Sequence, residues 1–531
     1  MKRLPLSMLA HWAGAELHGD DVAIDAIAHD TRTLAPGSLY VALRGERFDG
    51  HDFVVDAAAR GASALLVQAL QPQVELPQIL VADTQLALAR IAAGMQRGRA
   101  TRVAAITGSN GKTSVKALLL AILQHACRVN GGSVYANPGN RNNEIGLPLA
   151  VIEAPDAADY AIYEMGAGKP GDIAYLTDIV APHAALVNNI APAHLERMGS
   201  LLGVAETKGA IYAALPPDGT AVINADDAFG LWFEQRLPAP LTPHVLRFGL
   251  QASAEVTATR LRVGADRSQF VLVTPHGEVD ATLPLPGRHN LMNALAAASL
   301  ALALDIAPAM IAAGLAQVQP VPGRQIAHTL PGGAVLIDDS YNANPGSLAA
   351  AIDALAAAGG ERWLVLGDMR ELGDGADALH ASGGRRARDA GLTRLYALGP
   401  LSAVAAQAFG ENGRVFDSHA ALIAALRADL RAAGTRDSGL GNGAGTRDSG
   451  LGTREKQDQE QETEQMHEST GAASAGVAPL RVPSPESRVP ASLSPESRAP
   501  ATILVKGSRG SAMDKIVSAL LAQGEETPHA A

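Results

Sequence analysis

The chain has a single cysteine, Cys127, in 531 residues. That excludes an intrachain disulfide framework and suits a reducing compartment; Cys127 reads as an inert buried thiol. Aromatic residues make up only 4% of the chain, so its cores must be built from Ala, Leu, Val and Ile. Basic charge is in deficit, with 43 Lys and Arg against 54 Asp and Glu and a net charge of −11. A general nucleic-acid binder needs a basic face, so no nucleic-acid partner is expected. A local basic pocket for an anionic small molecule is compatible with that balance. Long apolar runs are also missing. The longest, Leu291–Leu304, contains Asn293 and is ended by Asp305, which is too short to span a bilayer. Lys2 and Arg3 precede an apolar stretch, but Pro5, Ser7 and His11-Trp12 break it too early for a signal peptide. A soluble, cytoplasmic protein with no membrane insertion is expected.

What the chain does have is apolar volume. Hydrophobic residues make up 47% of it, and its length predicts about three domains, bounded at 1–99, 100–321 and 322–531. In the first, apolar runs such as Leu39–Leu43 and Ala64–Val67 alternate with turns, and a helical stretch Leu86–Met95 leads out through polar residues. In the second, strand candidates recur at 103–106, 160–163, 184–187 and 221–223, with helical patterns at 112–126 and 200–214. That alternation predicts a mostly parallel sheet with helices on its faces. Residues 254–283 read instead as antiparallel strands. In the third, strands are expected at 334–337, 363–366, 395–398 and 503–505 between Ala-rich helices, a doubly wound pattern.

Residues 434–500 interrupt that third unit. Gly-Thr-Arg-Asp-Ser-Gly-Leu-Gly occurs at 434–441 and again at 445–452, and the segment holds no Phe, Trp or Tyr. It buries too little apolar area to offset its ordering entropy, so a disordered insertion is expected, after which 503–522 returns to complete the domain. The predicted fold class is therefore α/β: a small α/β N-terminal domain, a central P-loop mononucleotide-binding domain, and a Rossmann-like C-terminal domain carrying the insertion.

The densest chemical signal is Thr107-Gly108-Ser109-Asn110-Gly111-Lys112-Thr113-Ser114, directly after the strand candidate Val103–Ile106 and before a helical stretch. Strand, glycine-rich turn and helix in that order make a phosphate cradle. Glycines let backbone N–H groups converge on phosphate oxygens, a lysine reaches the terminal phosphates, and a Thr hydroxyl ligates Mg²⁺. The longer consensus has a further glycine where this chain has Ile106, so the match is to the shorter Thr-Gly-x-x-Gly-Lys-Thr form.

Phosphate binding alone fits a kinase, a GTPase, a transporter ATPase or a ligase, but no Asn-Lys-x-Asp guanine reader is found. Polar residues at the ends of the other predicted strands mark where an open α/β sheet puts its ligands. Glu164 follows Tyr160–Tyr163 and is placed to hold Mg²⁺, directly or through water; its bland alternative is a solvated or capping carboxylate. Asn188-Asn189 and His194 follow the next strand, placing His194 to orient a metal or a phosphate. Lys208 reads either as a surface lysine or as a lysine carbamylated by CO₂, and sequence alone does not choose. His289, Asn290 and Asn293 open a helix and either cap it or face a nucleotide. In the third unit Asp338–Pro345, Gly367–Gly373 and Lys506–Arg509 each follow a strand, suggesting a substrate site facing the ATP domain.

Together these segments resemble the Mur ligase family of peptidoglycan synthesis over nearly the whole chain except 434–500. The family-wide signals are Thr107–Ser114, His289-Asn290 with Asn293, and Arg324 followed by Asp339. A narrower resemblance, to the dipeptide-adding branch, rests on Asp30-Thr31-Arg32, Phe48–Phe53, Asn140–Gly146, Asp339–Ser347 and Gly367–Gly373. The Asp-Asn-Pro-Arg string of the diaminopimelate-adding branch is absent. The resemblance implies ATP and Mg²⁺ as cofactors, and UDP-N-acetylmuramoyl-tripeptide and D-alanyl-D-alanine as substrates, joined through an acyl phosphate by a monomeric enzyme.

It also implies roles. Gly108, Ser109, Asn110, Gly111, Lys112, Thr113 and Ser114 would hold the phosphates. Thr113 and Glu164 would hold one Mg²⁺, with His194 and a carbamylated Lys208 at a second. Asn290 and Asn293 would face adenine or ribose, and Arg324 and Asp339 would close onto ATP. Lys112, His194, Lys208 and Arg324 are the implied catalytic set. Asp30, Thr31, Arg32, Arg47, Asp49 and His51 would receive the UDP end. Asn143, Asn344, Asp368 and Lys506 would serve the peptide substrates. Two rivals are weighed beside this. A folate-linked glutamate ligase shares the layout but not the Asp30–Phe53 segment; a silent binding module would not be expected to retain Lys112, Thr113, Glu164 and His194.

Overall fold

The computed structural model describes residues 1–435 and 500–522, apart from 46, 240–243 and 265. The expected insertion lies almost entirely outside the described residues.

The N-terminal domain holds a five-stranded sheet in the order Glu16–His18, Gln78–Leu80, Ala64–Val67, Ser38–Val41, Ala26–Ala28, parallel except for its first pair. Helix Thr84–Arg97 starts where the Asp83 carboxylate accepts from the N–H groups of Gln85 and Leu86 at 2.8 and 2.9 Å, a cap that stabilises a helix by about 1 kcal/mol. Its Leu88, Ile91, Ala92 and Met95 share one continuous core with Leu147, Val151, Ile173 and Leu176. The first domain is therefore seated on the second by apolar packing rather than tethered by a linker.

The central sheet runs Val245–Phe248, Thr220–Asn224, Ala184–Val187, Arg102–Thr107, Tyr160–Glu164, Val134–Ala136, parallel throughout. Side chains alternate across it: Val103 and Ala105 enter one core, Ala104 and Ile106 the other, as a strand covered on both faces requires. Ile106 is fully buried in that strand, so the position where the longer consensus has glycine is still sheet here. The antiparallel expectation for 254–283 is met by strands Thr257–Val263, Ser268–Thr274 and Gly277–Leu283.

In the C-terminal sheet the order is Ile326–Thr329, Val335–Asp339, Thr502–Lys506, Arg362–Gly367, Arg394–Leu398, Gly413–Phe416, and only the first pair is antiparallel. The chain does return after the insertion, and it returns to the middle of the sheet. Ile503, Leu504 and Val505 are buried, and their strand pairs on both sides, so this last strand completes the domain's core.

Candidate nucleotide and ligation site

Helix Lys112–Asn130 begins directly at the glycine-rich turn, and Gly111 at its N-cap has φ +79°. A Cβ there would sit 2.5 Å from both Asn188 Nδ2 and Asn293 Oδ1, and one at Gly108 would come within 3.0 Å of Asn188 Cβ. The turn is thus fixed by glycine conformation and by the close approach of two asparagines. Asn188 Nδ2 donates to Asn110 O at 2.9 Å and to Asn293 Oδ1 at 3.0 Å, and Asn189 Oδ1 accepts from Asn110 N–H at 2.9 Å. The helix N-terminus leaves N–H groups free for an anion. Lys112 Nζ donates to its own loop, to Gly108 O at 2.8 Å. Burial lowers its pKa, with Glu164 opposing and Arg324 adding to the shift.

Glu164 ends its strand 3% exposed, facing this turn. Asn142 Nδ2 donates to its Oε1 at 2.9 Å, and Lys116 Nζ lies 3.2 Å from Oε2. Oε2 nevertheless has no partner in hydrogen-bond geometry. Burial alone would raise its pKa; Lys116, Lys112 and hydrogen bonds from Asn142 and Thr113 outweigh that and hold it below the ordinary glutamate value. Lys116 carries no sequence motif. Its signal was its spacing: four residues after Lys112, it lies on the same helix face.

A cavity of about 760 Å³ opens above the turn, lined by Ser109–Ser114, Asn143, Glu164, His194, Asn290 and Asn293 from the central domain and by Arg324, Asp339, Asn344 and Lys506 from the C-terminal domain. The two domains touch across it. Arg324 Nη2 donates to Thr113 Oγ1 at 2.8 Å, and Asn344 Nδ2 donates to Asn110 Oδ1 at 2.7 Å. Asn344 also caps helix Pro345–Ala356 in a reciprocal pair with Ser347. The Arg324 guanidinium stacks 4.3 Å above the Tyr341 ring. The His194 Nδ1 hydrogen bonds to the Glu371 carboxylate of the C-terminal domain. Burial lowers the His194 pKa, Glu371 opposes the shift, and Lys208 and Lys112 add to it.

Several expected residues are engaged elsewhere. Asp368 does not line the cavity. Its Oδ1 accepts from Ser402 N–H at 2.7 Å and from Ser402 Oγ at 2.9 Å, serving the first turn of helix Pro400–Phe409. The structure thus commits this carboxylate to a neighbouring helix, a second use open to a carboxylate at a strand end. Lys506 and Asp339 do line the cavity but pair with each other at 2.7 Å. Asn290 Nδ2 donates to Pro286 O at 2.7 Å, so its side chain does not cap the helix N–H groups. Lys208 is 1% exposed and is not among the lining residues; its burial removes the surface-lysine reading. Burial, aided by Lys112, lowers its pKa far below the usual lysine value.

The residues expected to receive the UDP end lie on the first domain, outside the cavity. Asp30 pairs with Arg32 at 2.6 Å, and hydrogen bonds from Arg32 hold its pKa down at about 2. Thr31 is buried in the same turn, and Arg47 is exposed. His51 Nδ1 donates to Asp49 Oδ1 at 2.6 Å while its Nε2 accepts from Gln68 N–H at 2.9 Å. Both ring nitrogens are therefore used within the domain, and His51 fixes the loop. The 30–32 turn stands beside Arg141: burial lowers the pKa of neighbouring His29, Asp30 opposes it, and Arg141 adds to it. Arg141 belongs to the 140–144 loop that lines the cavity.

A phosphate loop on one parallel sheet, faced by the carboxyl edge of a second across one cleft, defines a nucleotide-using enzyme whose reactants meet between domains. Residues 106–301 match the Mur ligase middle domain, 324–440 the Mur ligase glutamate ligase domain, and 5–96 the Mur ligase family catalytic domain. The chain belongs to the Mur ligase family. It is 44% identical to the UDP-N-acetylmuramoyl-tripeptide–D-alanyl-D-alanine ligase of Escherichia coli strain K12, over 80% of this chain and 92% of that protein. The enzyme of the same name from Haemophilus influenzae is 38% identical over 77% of this chain and 88% of its own. Among solved structures, MurF from Acinetobacter baumannii superposes with a TM-score of 0.80 at 27% identity, covering 98% of this chain and 100% of that one.

Proposed function

We infer that this chain is an ATP-dependent ligase that joins D-alanyl-D-alanine to UDP-N-acetylmuramoyl-tripeptide in peptidoglycan precursor synthesis, a cytoplasmic reaction. The observation that carries the reading is the contact of Arg324 and Asn344 with Thr113 and Asn110, which brings a second substrate domain onto a phosphate loop. A carboxylate is a poor electrophile. Its oxygen attacks the ATP γ-phosphorus, ADP leaves, and the acid becomes an acyl phosphate. The dipeptide amine then attacks that carbonyl, loses a proton and expels inorganic phosphate. The protein positions the reactants and stabilises the developing negative charge.

In this reading the amides of Gly108–Ser114 and the Lys112 ammonium hold the phosphates, Asn290 and Asn293 face the nucleoside, and Arg324 closes on the γ-phosphate. Asp30, Thr31 and Arg32 meet the UDP end from one turn, and Arg47 meets it from the neighbouring loop, which Asp49 and His51 fix. Asn143, Asn344 and Lys506 border the peptide substrates, while Asp339 holds Lys506 in place. Among the described residues no group of three or more His, Cys, Asp or Glu forms a metal cage. Mg²⁺ needs none: it keeps its waters and binds through one or two carboxylates plus substrate phosphates. Glu164, whose buried Oε2 lies 3.2 Å from Lys116 Nζ without hydrogen-bond geometry, and Thr113 fit that pattern. His194 and Lys208, whose charge His194 feels, would hold a second ion once that lysine is carbamylated. Mg²⁺ there supplies charge neutralisation at the phosphates. Phosphate release should require both the UDP-linked tripeptide and D-alanyl-D-alanine; equal turnover with free diaminopimelate would overturn the assignment.

Lys208 gives a sharper test. A neutral amine attacks CO₂, loses its proton and becomes a carbamate, and burial shifts Lys208 toward the neutral form. Lys208→Met fills the same space with an apolar chain. We expect it to melt at or above the wild-type temperature yet lose at least about tenfold in kcat, as for other residues that support a metal. Bicarbonate should raise wild-type activity and leave the variant unchanged. A variant as active as the wild type would remove Lys208 from the site.

A further inference from the structure

The contact between His194 and Glu371 joins two domains, and both of its halves are unusual. His194 has φ +54° and ψ +32° and stands just before the short helix Leu195–Met198. Glu371 has φ +63°. Neither is glycine, and such residues seldom adopt the left-handed region without a reason in their surroundings. The backbone joins in: Glu196 N–H points to Glu371 O at 3.5 Å, and the Cβ that Gly373 lacks would lie 3.4 Å from Glu196 Cα. The Asp368–Gly373 loop is therefore seated closely on the segment that carries His194.

The side chains complete this seat. The Glu371 carboxylate accepts from His194 Nδ1, which leaves Nε2 with its lone pair and no hydrogen-bond partner among the described residues. His194 lines the nucleotide cavity; Glu371 does not. A carboxylate bonded to one ring nitrogen fixes which nitrogen carries the proton and how the ring lies. Here that carboxylate comes from a domain other than the one that holds the phosphate loop.

We propose that Glu371 is a positioning residue that readies His194 Nε2 for the metal–nucleotide complex only while the C-terminal domain is docked, so that a complete phosphate site forms only when the domain that brings the amine is in place. This rests on the function proposed above. It gives the ligase a physical reason not to spend ATP in the open form: an undocked domain leaves His194 free to rotate and to exchange tautomers.

The test uses the full-length protein with Glu371→Ala, Glu371→Gln and His194→Ala, read two ways. Mn²⁺ binding in the presence of ADP is followed by EPR, and ligation is measured against Mg²⁺ concentration. The expected result for Glu371→Ala is a loss of about 10–100-fold in metal affinity or kcat. ADP binding without metal should stay within twofold, with an unchanged melting temperature. Glu371→Gln should recover most of the loss, because its amide oxygen still accepts from Nδ1. Adding His194→Ala to Glu371→Ala should cost little more than His194→Ala alone. Unchanged Mn²⁺ affinity and unchanged Mg²⁺ dependence in Glu371→Ala, or fully additive losses in the double variant, would overturn the proposal. A wild-type protein that ligates nothing would instead overturn the reading beneath it.

Discussion

Lys112→Ala is expected to lower ligation by on the order of 10²–10³-fold or more, the cost of removing one preorganised donor to developing charge, without unfolding the chain. Lys112 Nζ donates to Gly108 O at 2.8 Å and to Ser109 O at 3.5 Å. Those carbonyls hold the ammonium where a nucleotide's terminal phosphates would arrive, so the charge is poised rather than used for packing. The helix keeps its apolar anchors, Val115, Leu118, Leu119 and Ile122, which are all buried, and alanine is the best helix former. Phosphate release and a thermal melt on the same preparation separate the two effects. Retained activity would show that the turn is not the reaction's phosphate site; a large fall in melting temperature would show that Lys112 is structural.

The second large effect concerns stability. Lys506, 2% exposed, pairs with Asp339 at 2.7 Å and donates to Asn342 O at 3.1 Å. Removing one member of a buried pair leaves the other uncompensated and costs about 3–5 kcal/mol, while replacing both members is often neutral or stabilising. Lys506→Met should therefore weaken the C-terminal domain by about that amount, and Lys506→Met with Asp339→Asn should restore much of it. Three domains need not unfold in one step. The measurement is urea unfolding read from Trp363, buried in the C-terminal core, with Trp12 and Trp232 changed to Phe. A single variant as stable as the wild type would show that the pair does not hold the last strand in place.

Much of this architecture was legible because long buried strands announce themselves. The runs at 184–187 and 363–366 stand out as apolar stretches, and the structure extends the latter only to Arg362–Gly367. The short strands Val134–Ala136, Val245–Phe248, Ile326–Thr329 and Gly413–Phe416, at sheet edges, left no such signal. They are three or four residues long and mostly half-buried, so each offers only one or two side chains to either face, too few to stand out as an apolar run. The phosphate loop was legible because glycine is obligatory at Gly108 and Gly111. Partner choice was not. Nothing in the sequence shows that Asp368 turns to Ser402, that Lys506 and Asp339 satisfy each other, or that Glu371 reaches His194 across a domain boundary. Those pairings are set by how the sheets face one another, which local pattern does not encode.

The central claim is that a peptide acid is phosphorylated before an amine captures it. Tripeptide labelled with ¹⁸O in its terminal carboxylate should, on ligation, pass one labelled oxygen into the inorganic phosphate released. Phosphate free of ¹⁸O, with amide formed at the normal rate, would contradict the account.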